Sequence, residues 1–382
     1  MNKVFRYSIR ALLCLLPLSL LAAGCGKQEG PDGGDTREVT LTVRFPVQTR
    51  ANYTAELSDE LLVRSGYLLV FDSDGFLEMT DVLSSDNEQW SWDSSTGTGT
   101  DVLRVGGGAK SYCVLFNTDD PSSLGINTLS DLSSVTFSLS DEVSGTSKYF
   151  QMWGYCKSSG GTAPLSVSVD VKRIASRVAL RSVRNSHPDG HSVTLNRAWL
   201  SNVAGDHVIE SLTSEATSVS TWYNIQGRSD RVESHIIDGS SYTAALPLLT
   251  YKSIGRTISN GSSYSVASSP LLFYCYPNPS TEDNAGFTSS AFSGEYTVLV
   301  LDTTVDGVTH YYSVPLNITP SGRTYPLESN RSYAVDVVIS GNGSPDPNDP
   351  DGKVETTPQT ADCQVTITVE DWVSGADYTE TI

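Results

Sequence analysis

Apolar residues along the chain fall into short alternating runs rather than helical stripes. Val39, Leu41, Val43, Phe45 and Val47 alternate with Thr40, Thr42, Arg44 and other polar or small residues, the period-two signature of a strand with one face buried. The run stops at Thr49-Arg50-Ala51-Asn52, an exposed-looking junction with an arginine at its centre. Near the other end Cys363, Val365, Ile367 and Val369 alternate with Gln364, Thr366, Thr368 and Glu370, and the run stops at Asp371-Trp372. Between them strands are expected over 67–71, closed by Asp72-Ser73-Asp74-Gly75, and over 112–116, 165–171, 177–183 and 333–339. Asp306-Gly307, between runs at 296–301 and 310–314, is the strongest kind of short-range hairpin signal. Only one short turn near Pro121–Leu132 suggests helix. The pattern predicts an all-β chain built as sandwiches, with a boundary near Arg173, where two strands meet at Lys172-Arg173-Ile174-Ala175.

The two end strands matter physically. A strand with five apolar residues on a core contributes on the order of 10 kcal/mol if fully buried. Its removal would leave an apolar groove that an equivalent strand of another chain could fill, the basis of strand donation. From pattern alone, both read as ordinary edge strands of a sandwich.

The N-terminus carries Lys3, Arg6 and Arg10, then an apolar run from Ala11 to Ala23 interrupted by Pro17 and Ser19. A basic segment before a short apolar one is a secretion signal, too short to span a bilayer stably. It ends in Leu21-Ala22-Ala23-Gly24-Cys25, which resembles a bacterial lipobox with Ala22 where leucine is usual. Cys25 is therefore the expected lipidation site, and its acyl chains the membrane anchor of the precursor. The bland alternative is an ordinary secretory signal with a chance cysteine. Residues 25–37 are polar and Gly-rich, as in a flexible tether.

The formal charge of −19 grows more negative once the leader's three basic residues leave, which argues against nucleic acid or anionic headgroups as partners. Cys113, Cys156, Cys275 and Cys363 are far apart with no C-x-x-C pair, so zinc is not expected of them, and export leaves disulfides open. His187-Pro188-Asp189-Gly190-His191 sets two histidines four apart, but on a turn rather than a helical ligand face, so no metal is expected there. Asp72, Asp74 and the acidic stretch 346–351 read as solvated turns rather than calcium loops. Trp90 and Trp92 could stack on sugar rings or anchor a loop. With no nucleophile elbow, zincin motif or phosphate loop, neither an enzyme nor a cofactor is expected.

Several pieces in order carry a family resemblance: the lipobox, the strand ending in Thr49-Arg50-Ala51, and Leu69-Val70-Phe71-Asp72-x-x-Gly75. They continue with Lys172-Arg173-Ile174-Ala175-Ser176-Arg177-Val178, Glu328-Ser329-Asn330-Arg331-Ser332-Tyr333 and Val369-Glu370-Asp371-Trp372. From Glu38 to Trp372 the chain resembles a fimbrillin, a structural subunit of type V pili. The resemblance implies two tandem transthyretin-like Greek-key β-sandwich domains, over 38–173 and 174–382, following a signal peptide at 1–24. It also implies an outer-membrane lipoprotein precursor that moves to the cell surface as part of a fimbrium. An Arg-specific protease would cut between Arg50 and Ala51. That cut would remove residues 38–50, with Val39, Leu41, Val43, Phe45 and Val47, and a neighbour's C-terminal strand would fill the groove. Cys363, Val365, Ile367 and Val369, within 361–372, would belong to this chain's donor segment. Arg44 is a competing cut site inside the strand; Arg37 lies before it, where a cut would free lipid without opening a groove. The implied partners are other copies or related pilus subunits. A cleavable strand and a donor-like end favour a shaft subunit over a basal anchor or tip. A glycan-binding surface lipoprotein is the rival from another class.

Overall fold

The computed structural model describes residues 36–45, 60, 62–93, 96–209, 219, 221–223, 246–266, 270–278, 297–316, 326–343, 363–372 and 380–381. Within them the chain is almost entirely β, with α-helix confined to Leu129–Ser134 and Leu246–Thr250. The first helix starts where Thr128 and Asp131 form a reciprocal capping box. No helix among the described residues is long and apolar enough to cross a membrane.

Two pairs of sheets follow one another along the chain. In the first pair, one sheet runs in the order Leu165–Asp170, Thr36–Arg44, Thr98–Gly106, Ser91–Asp93. Its companion runs Lys172–Arg173, Met152–Ser158, Lys110–Phe116, Gly66–Phe71, Leu77–Val82. Both contribute to one buried cluster, with Val39, Leu41, Val43, Leu103 and Val167 from the first and Leu68, Val70, Val114 and Met152 from the second. That is sandwich packing. The continuous apolar run of Gly66–Phe71 has its own reason. Leu68 and Val70 face this cluster while Leu69 and Phe71 face a second one with Ile126, Leu132 and Phe137, so both faces of the strand are covered.

The second pair begins at Ser176–Asn185, which pairs in parallel with Arg331–Ile339 and antiparallel with Ser263–Ser265 and Leu271–Cys275. Cys363–Asp371 lies on the far side of Arg331–Ile339 and carries Glu380–Thr381 on its outer edge. The facing sheet runs Tyr251–Ile258, Val193–Ser201, Val298–Val305, Val308–Pro315. Its last two strands form the expected hairpin, with Asp306 at φ 49° and Gly307 at φ 80°, as a two-residue type I′ turn requires. The change of sheet falls between Lys172–Arg173 and Ser176–Asn185, and Asp206–His207 reaches back to pair with Phe137–Ser138.

Two expectations change. The leading strand, Thr36–Arg44, is not an edge strand but has a neighbour on each side. It also starts earlier than expected, so Arg37 lies inside the ladder opposite Val105 rather than in a tether before it. The arginine is tolerated there because its stem can lie along apolar surface while Nη2 donates to Ser158 Oγ at 2.8 Å. None of Cys113, Cys156, Cys275 and Cys363 is joined in a disulfide. Burial pushes Cys156 to about 11 and Cys275 to about 12, so neither is a ready thiolate at neutral pH.

Candidate functional site

The leading strand fills a slot. On one side six residue pairs run parallel to Leu165–Asp170, from Val39 opposite Leu165 to Arg44 opposite Asp170. On the other, nine pairs run antiparallel to Thr98–Gly106. Val39, Leu41 and Val43 are wholly buried. Three such side chains stabilise by about 6 kcal/mol through apolar burial alone. Phe45 continues the apolar side, 4.5 Å from the Phe116 ring and 4.6 Å from that of Trp92. Taking the strand out would uncover an apolar floor and two rows of backbone donors and acceptors at once. An edge strand would uncover only one row.

The end of the strand bears on where a protease can act. Arg44 is exposed, with Nη1 3.4 Å from Asp170 Oδ1 and Nη2 donating to Ser168 Oγ at 3.3 Å. Its peptide link to Phe45 is held from both sides, because Arg44 O accepts from Val171 N and Phe45 N donates to Gly97 O, each at 2.9 Å. A protease needs an extended segment free of such bonds, so Arg44 offers a side chain without an accessible bond. Arg50, Ala51, Val47 and Cys25 lie outside the described residues.

The closing strand, Cys363–Asp371, sits in its own sheet. Nine antiparallel pairs join it to Arg331–Ile339, from Ile339 opposite Cys363 to Arg331 opposite Asp371. Cys363 and Ile367 are buried, while Val365 and Val369 are partly buried against the main core. The segment expected to serve a neighbouring subunit thus completes its own chain's fold here. Of the two tryptophans weighed for sugar stacking, Trp90 covers Gly99, where a Cβ would come within 1.9 Å of its ring. Trp92 is exposed but edges onto Phe45 of the leading strand.

No family model matches the sequence, and no curated protein does. Solved structures match over nearly the whole chain. A fimbrilin, FimA, from Porphyromonas gingivalis W83 has 14% identity and a TM-score of 0.56, covering 89% of this chain and 99% of that one. The fold is fimbrillin-like. The tip fimbrial protein Mfa3 from Porphyromonas gingivalis, solved with a C-terminal truncation, matches at 14% identity and TM-score 0.54 over 88% of this chain and 100% of its own.

In this fimbrillin-like fold, three of the separated sequence pieces meet at one buried polar node that the sequence did not reveal. At its centre is Glu60, whose side chain is fully buried. Its Oε2 accepts from Trp372 Nε1 at 2.8 Å and lies 3.1 Å from Arg177 Nη1, while Oε1 accepts from the Tyr274 hydroxyl at 2.7 Å. The backbone carbonyl of Glu60 accepts from Arg173 Nη2 at 3.1 Å. Both guanidinium groups lie over the Trp372 ring, Arg173 at 4.8 Å and Arg177 at 5.4 Å from its centroid, so the ring's negative faces share in holding the cations. Burial brings Arg173 down to about 10, which still leaves it charged at neutral pH. Asn330, from the third piece, takes a left-handed turn at φ 60°. Its amide donates to Ala175 O and its carbonyl accepts from Trp372 N, each at 3.0 Å. The node therefore joins the chain ten residues after Arg50, the start of the second pair of sheets, and the end of the closing strand. Glu60 sits in an ordinary polar stretch with no motif to mark it; Trp372 and the paired arginines were the only sequence hints.

Proposed function

We propose that this chain is a non-enzymatic structural subunit of a pilus, exported as a precursor lipidated at Cys25, with a role in adhesion at the cell surface. An Arg-specific protease cuts after Arg50. The strand Thr36–Arg44 then leaves with the lipid, and a strand from a neighbouring subunit takes its slot. One observation carries this reading: the strand upstream of Arg50 is central, with pairing on both sides and three wholly buried apolar side chains. Its loss creates a demand that only another strand can satisfy. The likeness to fimbrial proteins supports the same reading.

The test is limited tryptic digestion of the soluble full chain, with the new N-terminus sequenced. Cutting at Ala51 is the expected result, followed by ladders of oligomers in a shaft subunit or by capping of a polymer of related subunits in a tip. An uncut, monomeric chain would overturn the proposal and favour a surface glycan-binding lipoprotein. An Arg50→Gln variant should resist cutting and stay monomeric.

A second reading concerns position in the pilus. In a shaft subunit, Cys363–Val369 would leave its ladder to serve a neighbour. That move would strand Trp372 and the buried Glu60 node, at a cost of several kcal/mol. The commitment of this strand to its own sheet favours a subunit that accepts a strand without donating this one, as a tip would. Matured protein that polymerises alone is a shaft; protein that only caps a polymer of related subunits is a tip.

A further inference from the structure

The far end of the second pair of sheets brings together three segments distant in sequence: the turn Ser186–Ser192, the hairpin tip Asp306-Gly307, and residues 341–343. The turn was discounted as a ligand site because it is not helical, yet it folds its three candidate ligands toward one point. One ligand atom each from His187, Asp189 and His191 lies within 4.8 Å of the others. The turn is held rather than loose: Asn185 Oδ1 accepts from His187 N at 3.0 Å and Asn185 Nδ2 donates to His191 O at 2.8 Å. Asn260 Nδ2 also donates to His187 O at 2.6 Å, and Gly190 supplies the positive φ of 78° that the bend needs.

The surroundings prepare the imidazoles for a cation. Asn342 Oδ1 is 2.7 Å from His187 Nε2, so that nitrogen carries the proton and Nδ1 keeps its lone pair. The Asp189 amide donates to the same Nδ1 at 3.3 Å, in agreement with this tautomer, and a bound cation would displace this long contact. Asp306 Oδ2 lies 2.7 Å from His191 Nδ1, the carboxylate–histidine pairing that fixes a metal-bound imidazole and raises its basicity. We propose that His187, Asp189 and His191 form a divalent transition-metal site, with zinc as its natural occupant and water completing the coordination. Two imidazoles with one carboxylate suit zinc, whereas calcium and magnesium prefer all-oxygen shells. Ligands on one zinc stand roughly 3.4 Å apart, so the set must draw in by about 1.4 Å from its 4.8 Å limit. The exposed Asp189 side chain and the half-buried His191 ring must make this adjustment, since His187 is buried. Because Asn342 belongs to residues 341–352, which lead to the closing strand, an occupied site would also fasten the start of that connector.

The test is titration of zinc into the untagged full chain after EDTA treatment, followed by calorimetry and thermal melting. Expected is one equivalent of zinc per chain and a higher melting temperature. His191→Ala should lower the affinity at least tenfold, and Asp306→Asn by about tenfold through the lost support of His191. His187 is buried and its removal would perturb folding, so it is left intact. Absence of saturable zinc uptake would overturn the proposal. So would an affinity unchanged in His191→Ala, or saturation by calcium with no response to zinc.

Discussion

The leading and closing strands share a sequence pattern and differ in their company. Both alternate β-branched or aliphatic residues with threonines, and both lie beside polar stretches. Thr36–Arg44 is flanked on both sides, with three wholly buried apolar side chains and no buried ion at its far end. Cys363–Asp371 has one long ladder and two further pairs, Thr368–Thr381 and Val369–Glu380, and it ends on Trp372 in a buried charged node. The first strand is therefore held by apolar burial and paired backbone. The second depends more on a few polar contacts at one end. A strand of the first kind could give way to another that matches its apolar pattern and its end residues, Arg37 and Phe45; a strand of the second kind is tied to the Glu60 node through Trp372.

Mutations can test this contrast. The largest effect is expected for Leu41→Asp in the uncut chain, which puts a charge at a wholly buried position and should cost more than about 4 kcal/mol. Denaturant unfolding should show the first pair of sheets lost or strongly destabilised. Glu60→Ala leaves Arg177 buried without its carboxylate and should cost about 3–5 kcal/mol. Hydrogen exchange should show the closing strand losing protection while Thr36–Arg44 keeps it. Equal losses in both would break the comparison. Trp372→Phe keeps the ring under the two guanidinium groups but removes the donor to Glu60 Oε2, so a loss of about 1–3 kcal/mol is expected. The smallest effect belongs to Arg44→Gln. Its ion pair with Asp170 is exposed, and denaturant unfolding should show the stability changed by no more than about 0.5 kcal/mol.

The alternation of Val39 to Val43 and of Cys363 to Val369 was legible in the sequence because half-burial leaves a local period. So was the Asp306-Gly307 turn, whose positive φ values demand those residue types. The central position of the leading strand was not legible. It rests on pairing with Leu165–Asp170, more than a hundred residues away, and alternation reports which face is buried but not how many neighbours a strand has. The start at Thr36 was missed for a related reason, since a buried arginine opposite Val105 breaks the expected polar-to-apolar boundary. Glu60 was invisible because a carboxylate is normally on the surface, and only the meeting of Arg173, Arg177, Tyr274 and Trp372 around it makes burial tolerable.

The mixed pairing of the leading strand has a consequence for polarity. Its slot has one parallel wall and one antiparallel wall. A strand entering in the reverse sense would meet one wall of each kind again, with the two merely interchanged. Backbone hydrogen bonding therefore gives almost no preference between the two senses. Vectorial order in any assembly built on this slot must come from side chains, and the slot's two ends differ. One end accommodates a buried guanidinium beside Ser158, and the other accommodates the ring of Phe45 between Phe116 and Trp92. An incoming strand would read its heading from those two ends.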